Sequence, residues 1–460
     1  MDGSHSMDAV GDARFREDVA KVAGQFRSAR EAGEPVRLAK PASNLFRRRQ
    51  SFEGRLIDIS GLDRVLAVDA GAGHADIGGM TPYDAVVEAT LREGRMPAVV
   101  PELKSITVGG AVTGGGIESS SFRYGFAHET VLEMEILTAS GELVLCRPDN
   151  AYSDLFYGFA NSYGTLGYAV RLRIVIVPVK PFVRLRHERF ENADDYFSEM
   201  ERVCRAARGD PEGAAFVDGT VFREGECYRT IGEWTDHGGG GSNYRFMRPY
   251  YRSIREKKED CLSVADYLWR WDTDWFWCAR GFGMENPVLR FLFGMGGGLN
   301  SRTYWKLIKF YQGQAWLQRL TRGREKEWVI QDVEIPADRS AEFQKFLHAS
   351  IRIYPFWICP TMAFRDSSRY PLYRTDPETL YINFGFWGRV EGAPGQGHYN
   401  RLVEEKVAEL GGKKSLYSES YFDEATFWSH YNESAYRALK ARYDPDGFFP
   451  DLYEKCVGRR

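Results

Sequence analysis

Apolar residues near the start of the chain recur at helical spacing. Phe15, Val19, Val22 and Phe26 share one face, predicting an amphipathic helix that Gly33 and Pro35 bring to an end. Beyond it the period shortens, and RLIDIS and RVLAVDAG read as extended segments. PYDAVVEATLREG returns to helical spacing, with Thr81 as its expected N-cap. VLEMEILTASGELVLC reads as a hairpin turning at Ser140-Gly141, and LGYAVRLRIVIVPV as a strand. Strands with intervening helices, then strands again, predict an α+β domain over residues 1–180.

Past Pro181 longer polar helical stretches alternate with strands such as EWVIQDVEIP and TLYINFGFWG, predicting a second domain. Its segment 266–316 is crowded with Trp269, Trp271, Trp275, Trp277, Trp305 and Trp316. The cluster reads either as the domain's core or, with the basic stretch YRFMRPYYRSIREKK, as a belt seating the protein on an anionic bilayer. HGGGGSN reads as an exposed loop.

Composition narrows the function classes. A net charge of −3 over 460 residues gives no reason to expect nucleic acid. Seven cysteines stand singly, without CxxC pairs, as expected of reduced thiols in a cytoplasmic protein. Eight histidines are scattered without ligand spacing, so no metal site is expected. No signal peptide is recognised, and the longest apolar run, LRIVIVPV, falls well short of the ~18 residues of a membrane span.

The densest chemical signal is PELKSITVGGAVTGGGIESSSFRYG, residues 101–125. Glycines let backbone approach a ligand closely and present N–H groups to an anion. Serine hydroxyls and Arg123 add to that, and a diphosphate is the natural partner. Gly110 and Gly115 have P-loop spacing, but Gly116-Ile117 stands where Lys-Ser/Thr is required. RVLAVDAGAGHAD imitates a dinucleotide-binding turn, but Asp76 occupies the third glycine position.

Five elements in order, EDVAKVAGQFRSAREAGEPVRLAKPASNLF, LIDIS, VVPELKSITVGG, ESSSFRYG and SDLFYGFANSYGTLG, resemble the flavin domain of the vanillyl-alcohol-oxidase (PCMH-type) superfamily. Further segments, among them GTLGYAVRLRIVIVPVKPFVRLR, ENPVLRFLFG, VIQDVEIP, IYPFWICP and LYSESYFDEATFW, are similar to the delta-24-sterol reductase branch, whose bacterial members reduce the 10-methylene group of fatty acyl chains. The resemblance implies an α+β fold: a two-subdomain PCMH-type FAD-binding domain (1–180), an α/β substrate-binding cap domain (181–430), and a C-terminal segment (431–460) packing back on the first.

It also implies a flavin held by Pro41, Ala42, Ser43, Asn44 and Leu45, and by Pro101, Thr107, Val108, Gly109, Gly110, Gly114, Gly116, Ile117, Glu118, Ser119, Ser120, Ser121, Tyr124 and Gly125. Gly164, Thr165 and Gly167 complete the set, with His128 hydrogen-bonded near the ring or acting in catalysis. PASNLFRRR has no histidine or cysteine for covalent attachment, so the FAD is expected to be non-covalent. Eukaryotic sterol enzymes carry an N-terminal membrane segment with no counterpart in this sequence. The expectation is therefore an NADPH-fed lipid reductase, cytoplasmic or peripheral at the inner face of the membrane, working beside a partner methyltransferase. Two rivals remain open: an FAD-dependent oxidase or dehydrogenase of a sugar, lactone or alcohol, and a binding protein that has lost redox activity.

Reducing an isolated double bond asks for a proton donor held neutral in a dry pocket. Asp332 and Glu334 alternate on VIQDVEIP and project from one face. LYSESYFDE offers Tyr417, Glu419 and Tyr421 in the same alternation. Tyr417, Glu419 and Asp332 are the candidate donors, against the ordinary alternative of a solvated strand face. Glu118 would be repelled by a pyrophosphate, so it is expected to point to a ribose, a backbone N–H or the cap.

Overall fold

The computed structural model describes residues 4–40, 46–47, 52–313, 326–392 and 395–458. The predicted first helix spans Ser4–Glu31, burying Phe15, Val19, Val22 and Phe26, and Gly33 follows it in the left-handed conformation at φ +65°. Strands β1 (Val36–Leu38) and β2 (Arg55–Ile57) pair in parallel beside it.

Among the described residues a second sheet has the order β3-β4-β8-β6-β7, with β5 also on β8. Its strands are β3 (Val65–Asp69), β4 (His74–Gly78), β5 (Arg95–Pro97), β6 (Val131–Leu137), β7 (Leu143–Cys146) and β8 (Tyr168–Pro178). β6 and β7 form the predicted hairpin around Gly141 (φ +81°). β3 and β4 are an antiparallel hairpin too, which is why RVLAVDAGAGHAD is no nucleotide turn. Asp76 there pairs across the sheet with Arg171 at 2.7 Å and Arg173 at 2.9 Å. Thr81 is not the N-cap of the next helix, Tyr83–Arg92. Pro82 takes that place, and the Thr81 hydroxyl donates to the Arg64 carbonyl at 3.0 Å.

The third sheet has the order β12-β9-β11-β10-β14-β15-β13-β16. It comprises β9 (Phe182–Phe190), β10 (Phe216–Arg223), β11 (Glu226–Thr235), β12 (Glu259–Ser263), β13 (Lys326–Pro336), β14 (Phe356–Thr361), β15 (Tyr381–Glu391) and β16 (Lys413–Lys414). β13 and β15 pair along eleven residues, setting Asp332 opposite Gly385 and Glu334 opposite Asn383. Trp271, Trp275, Trp277 and Trp305 are buried in one aromatic cluster, so these four supply core rather than a belt, while Trp269 is half-buried. Trp316 lies outside the described residues. The C-terminal segment returns to the first helix and the second sheet, where Phe449 packs on Phe26 and Tyr168.

The two large sheets meet at a seam made by ESSS, residues 118–121. Val217 N–H donates to the Ser119 carbonyl at 2.8 Å, Met362 N–H to the Ser121 carbonyl at 3.2 Å, and the Cys359 thiol to the Glu118 carbonyl at 3.1 Å.

Candidate active site

Between the glycine segment and the inner face of the third sheet lies a cavity of about 1110 Å³, large for a small-molecule site. One wall is nearly all backbone: Pro101, Thr107, Gly109, Gly110, Gly114, Gly115, Gly116 and Ile117, with Gly164 and Gly167 beside them. Part of this segment is helical, Val108–Gly114, with the Thr107 hydroxyl accepting from Gly110 N–H at 3.3 Å. Glycine is required at Gly109, where a Cβ would sit 2.6 Å from the Gly79 carbonyl oxygen, and at Gly116, where it would meet the Ala111 Cβ at 2.9 Å. At Gly114 the nearest atom would be 3.6 Å away on Tyr163, so the wall there is open.

The opposite wall carries Asp332 and Glu334 of β13, Trp357 of β14, Asn383 and Trp387 of β15, and then Ser415, Tyr417 and Glu419. The three candidate donors thus share one cavity, and neither acid on β13 lies on a solvated strand face. Burial lifts the Asp332 carboxyl to about 8, helped by the charge of Glu334 and opposed by the hydrogen-bonding hydroxyl of Tyr417. Its Oδ1 has no hydrogen-bond partner among the described residues. Gly385, opposite on β15, leaves the room it occupies, since a Cβ there would lie 2.5 Å from that oxygen. Burial lifts Glu334 to about 7, although it accepts from Tyr373 and, at 3.0 Å, from Asn383. Tyr417 accepts from Trp387 Nε1 at 2.9 Å, and its backbone carbonyl holds Phe46 N–H at 3.0 Å. Glu419 accepts from Tyr421 at 2.9 Å.

A basic end completes the cavity, where Arg37, Lys40, Arg47 and Lys455 line it. Burial pulls the Lys455 ammonium down to about 7, with the Arg47 charge adding to the effect. An anion placed beside Lys455 would restore what burial and the Arg47 charge remove.

Comparison with known proteins fits this geometry. The family described as "FAD binding domain" matches residues 14–147, a span that includes most of the glycine wall. Over that span the chain is similar to an FAD binding domain. Over more of its length it is similar to the delta(24)-sterol reductases. The Mus musculus protein is 29% identical over 389 residues, covering 79% of this chain and 70% of the relative. The Arabidopsis thaliana protein is 25% identical over 458 residues, covering 89% and 77%. Cytokinin dehydrogenase 7 of Oryza sativa subsp. japonica is 28% identical over 208 residues, covering 44% and 39%.

The cavity fits FAD on its own terms. Glycine backbone gives a flat, unobstructed wall, and the basic end suits a diphosphate. Pro101, Thr107, Gly109, Gly110, Gly114, Gly116, Ile117, Gly164 and Gly167 are placed to hold it. Cys278 and Cys456 also line the cavity, and burial keeps Cys278 a thiol by pushing it up to about 12.

Other residues expected at the flavin lie off the cavity. Ser120 donates to the Ala98 carbonyl at 2.8 Å, Ser121 accepts from Glu118 N–H at 3.0 Å, and Ser119 shares a hydrogen bond with Tyr267 at 2.7 Å. Glu118 accepts from Arg270 at 2.9 Å in the seam, meeting a cap side chain rather than a ribose. Arg123 is spent on carbonyls of Ala207 and Ala214. His128 is buried between Phe126 and Tyr370, where burial depresses its imidazole to about 3. Val108, Tyr124, Gly125 and Thr165 pack behind the wall without lining it. Pro41, Ala42, Ser43, Asn44 and Leu45 fall outside the described residues.

The expected set omitted Glu102, Asn383, Trp387 and the basic end, all of which line the cavity. Glu102 is nearly fully buried and stands in the glycine segment itself, where PELKS was readable. Lys455 lies hundreds of positions away and carries no local signal.

Proposed function

We propose that this protein is an FAD-dependent reductase of an isolated carbon–carbon double bond in a lipid, with NADPH as electron donor. The preferred substrate is a 10-methylene fatty acyl chain, reduced to the 10-methyl chain. The sterol-reductase relatives favour a second reading, a delta-24 sterol side chain.

The observation that carries this is Asp332: a buried carboxyl, protonated up to about pH 8, with one oxygen unpartnered in the wall facing the glycines. An isolated alkene has no carbonyl to receive charge, so a proton must reach its less substituted carbon while hydride reaches the other. FAD, when bound and first reduced by the nicotinamide donor, would supply the hydride and return to its oxidised form. The Asp332 carboxyl gives up the proton and becomes the carboxylate, which the Tyr417 hydroxyl stabilises as a hydrogen-bonding neighbour. The rings of Trp275, Phe276, Trp357 and Trp387 line the same space. They exclude water, accommodate an alkyl chain, and stabilise nearby positive charge by roughly 0.5–2 kcal/mol each. The donor's nicotinamide has no dedicated fold motif here and meets the cavity only transiently.

The test is anaerobic spectroscopy of the purified flavoprotein. Bleaching of the flavin by NADPH, and return of colour on adding a 10-methylene lipid or a delta-24 sterol, is the expected result. A flavin indifferent to NADPH but bleached by an alcohol, lactone or sugar would replace the reductase with an oxidase or dehydrogenase.

A further inference from the structure

Three buried oxygens that line the cavity have no hydrogen-bond partner among the described residues: Asp332 Oδ1, Asn383 Oδ1 and Glu102 Oε1. The first two stand on the third sheet. Glu102 stands in the glycine segment instead, and is only 5% exposed. It follows Pro101, whose Cγ would lie 3.2 Å from a Cβ at Gly116, so its backbone adjoins the glycine wall. The turn is anchored just beyond, where Lys104 N–H donates to Asp272 Oδ1 at 3.0 Å and Ile106 N–H to the Leu103 carbonyl at 3.0 Å. A buried oxygen held without a partner is costly, and one that borders a cavity points to a ligand that would pair with it.

The neighbours of Glu102 say which part of a ligand it meets. The charges that bear on it are Glu118, Arg270 and Asp218, all at the seam. Those that bear on Lys455 are Arg47, Cys456, Lys40 and Lys440, at the basic end. Burial, and then the charges of Glu118, Glu102, Asp218 and Asp332, push up the Cys359 thiol on β14, so Glu102 and Asp332 share a neighbour there. Glu102 thus belongs with the seam and the proton donor, apart from the cations that suit a diphosphate. Burial, reinforced by Glu118 and opposed by Arg270, pushes its carboxyl well above the usual carboxylate range. The group keeps its proton and offers one O–H donor beside one C=O acceptor. An alkyl chain has nothing to pair with that. The ring of FAD does, because its imide edge sets the N3–H donor between two carbonyl acceptors.

We propose that the Glu102 carboxyl pairs with the imide edge of the flavin ring, donating its O–H to a ring carbonyl and accepting from N3–H. Glu102 then recognises the cofactor's ring, and Asp332 is left free for the substrate. The proposal rests on the proposed function only in placing FAD in this cavity; neither the substrate nor the direction of electron flow enters it.

The test titrates the whole chain, freed of flavin, with FAD and with 3-methyl-FAD, in which a methyl group replaces the N3 hydrogen, and follows flavin fluorescence. Wild type is expected to bind the analogue at least ~10-fold more weakly than FAD. Glu102→Ala should bind FAD about tenfold more weakly than wild type does, and should lose most of the difference between FAD and the analogue, because the partner of N3–H is gone and its space is free. Glu102→Gln keeps one donor and one acceptor and should bind FAD within about threefold of wild type. The flavin-free proteins should melt together, since the pairing forms only with the ligand. Equal discrimination against the analogue in wild type and Glu102→Ala would overturn the proposal, as would a Glu102→Gln protein as weak as Glu102→Ala. A melting temperature that falls in step with affinity would also overturn it, assigning Glu102 to the fold. Each of these outcomes leaves the proposed function standing. Failure of wild type to bind FAD at all would remove both.

Discussion

Two groups of buried carboxyls lie on or against the third sheet, and they differ in their partners. At the seam, Glu118 and Asp218 flank Arg270, at 2.9 and 2.8 Å, and Tyr267 lies under the guanidinium at 4.0 Å. In the cavity wall, Asp332 and Glu334 have no arginine among the described residues. The buried Lys414, whose charge opposes the upward shift of Asp332, ion-pairs Glu404 at 3.6 Å and donates to Gln331, to Ser418 at 3.3 Å and to the Glu419 carbonyl at 3.0 Å. Burial pushes Glu118, Asp332 and Glu334 upward, but of these three only Glu118 is ion-paired to an arginine. A buried acid bound to arginine is a strut between domains. A buried acid without one holds a proton that can be given away.

Breaking the strut should have the largest effect. Arg270→Met leaves two carboxyls buried without a partner and is expected to destabilise the fold by about 3–5 kcal/mol, read from urea unfolding. The flavin site should suffer only through loss of fold.

The wall acids should show themselves in pH dependence. Folded Asp332 titrates near 8, above its ordinary value of 3.8. The folded protein therefore keeps a proton that the unfolded chain has released, and stability from this group falls as pH rises between those values. Asp332→Asn should remove that slope in unfolding measured from pH 4 to 9. Turnover, which needs the protonated form, should fall toward tenfold per pH unit above about 8.

The glycine wall offers a finer contrast. Gly109→Ala drives a Cβ into backbone and should disturb folding, whereas the Cβ of Gly114→Val meets only ordinary contact with Tyr163. The latter is expected to fold normally and bind FAD about tenfold more weakly by fluorescence titration, because bulk enters the space the ligand needs. The smallest effect belongs to Tyr417→Phe. It removes one hydrogen bond from the departing carboxylate and should slow turnover by about tenfold, with its alkaline limb moved upward.

Local pattern made much of this readable. The helix through Phe15 and Phe26, the Gly141 hairpin, and the alternation that puts Asp332 and Glu334 on one face all depend on near neighbours. What failed depended on distant ones. ESSS carries hydroxyls as a phosphate loop would, yet β10 and β14 take its carbonyls and turn it into a seam. His128 is drawn into an aromatic nest by Phe126 and Tyr370, the latter far along the chain. The tryptophans of 266–305 fit both a core and a membrane belt by composition, and only packing decides between them. The basic end joins Arg37, Lys40 and Arg47 to Lys455 from the far terminus, a union visible only in three dimensions.

The central claim is that Asp332 hands over the proton, and its two half-reactions can be separated. Asp332→Asn protein, reduced anaerobically with NADPH and then mixed with the 10-methylene lipid or delta-24 sterol that turns over wild type, should be reduced at the wild-type rate. Its flavin should then reoxidise roughly 100- to 10,000-fold more slowly. Reoxidation at the wild-type rate would contradict the account and move the proton donor elsewhere in the cavity.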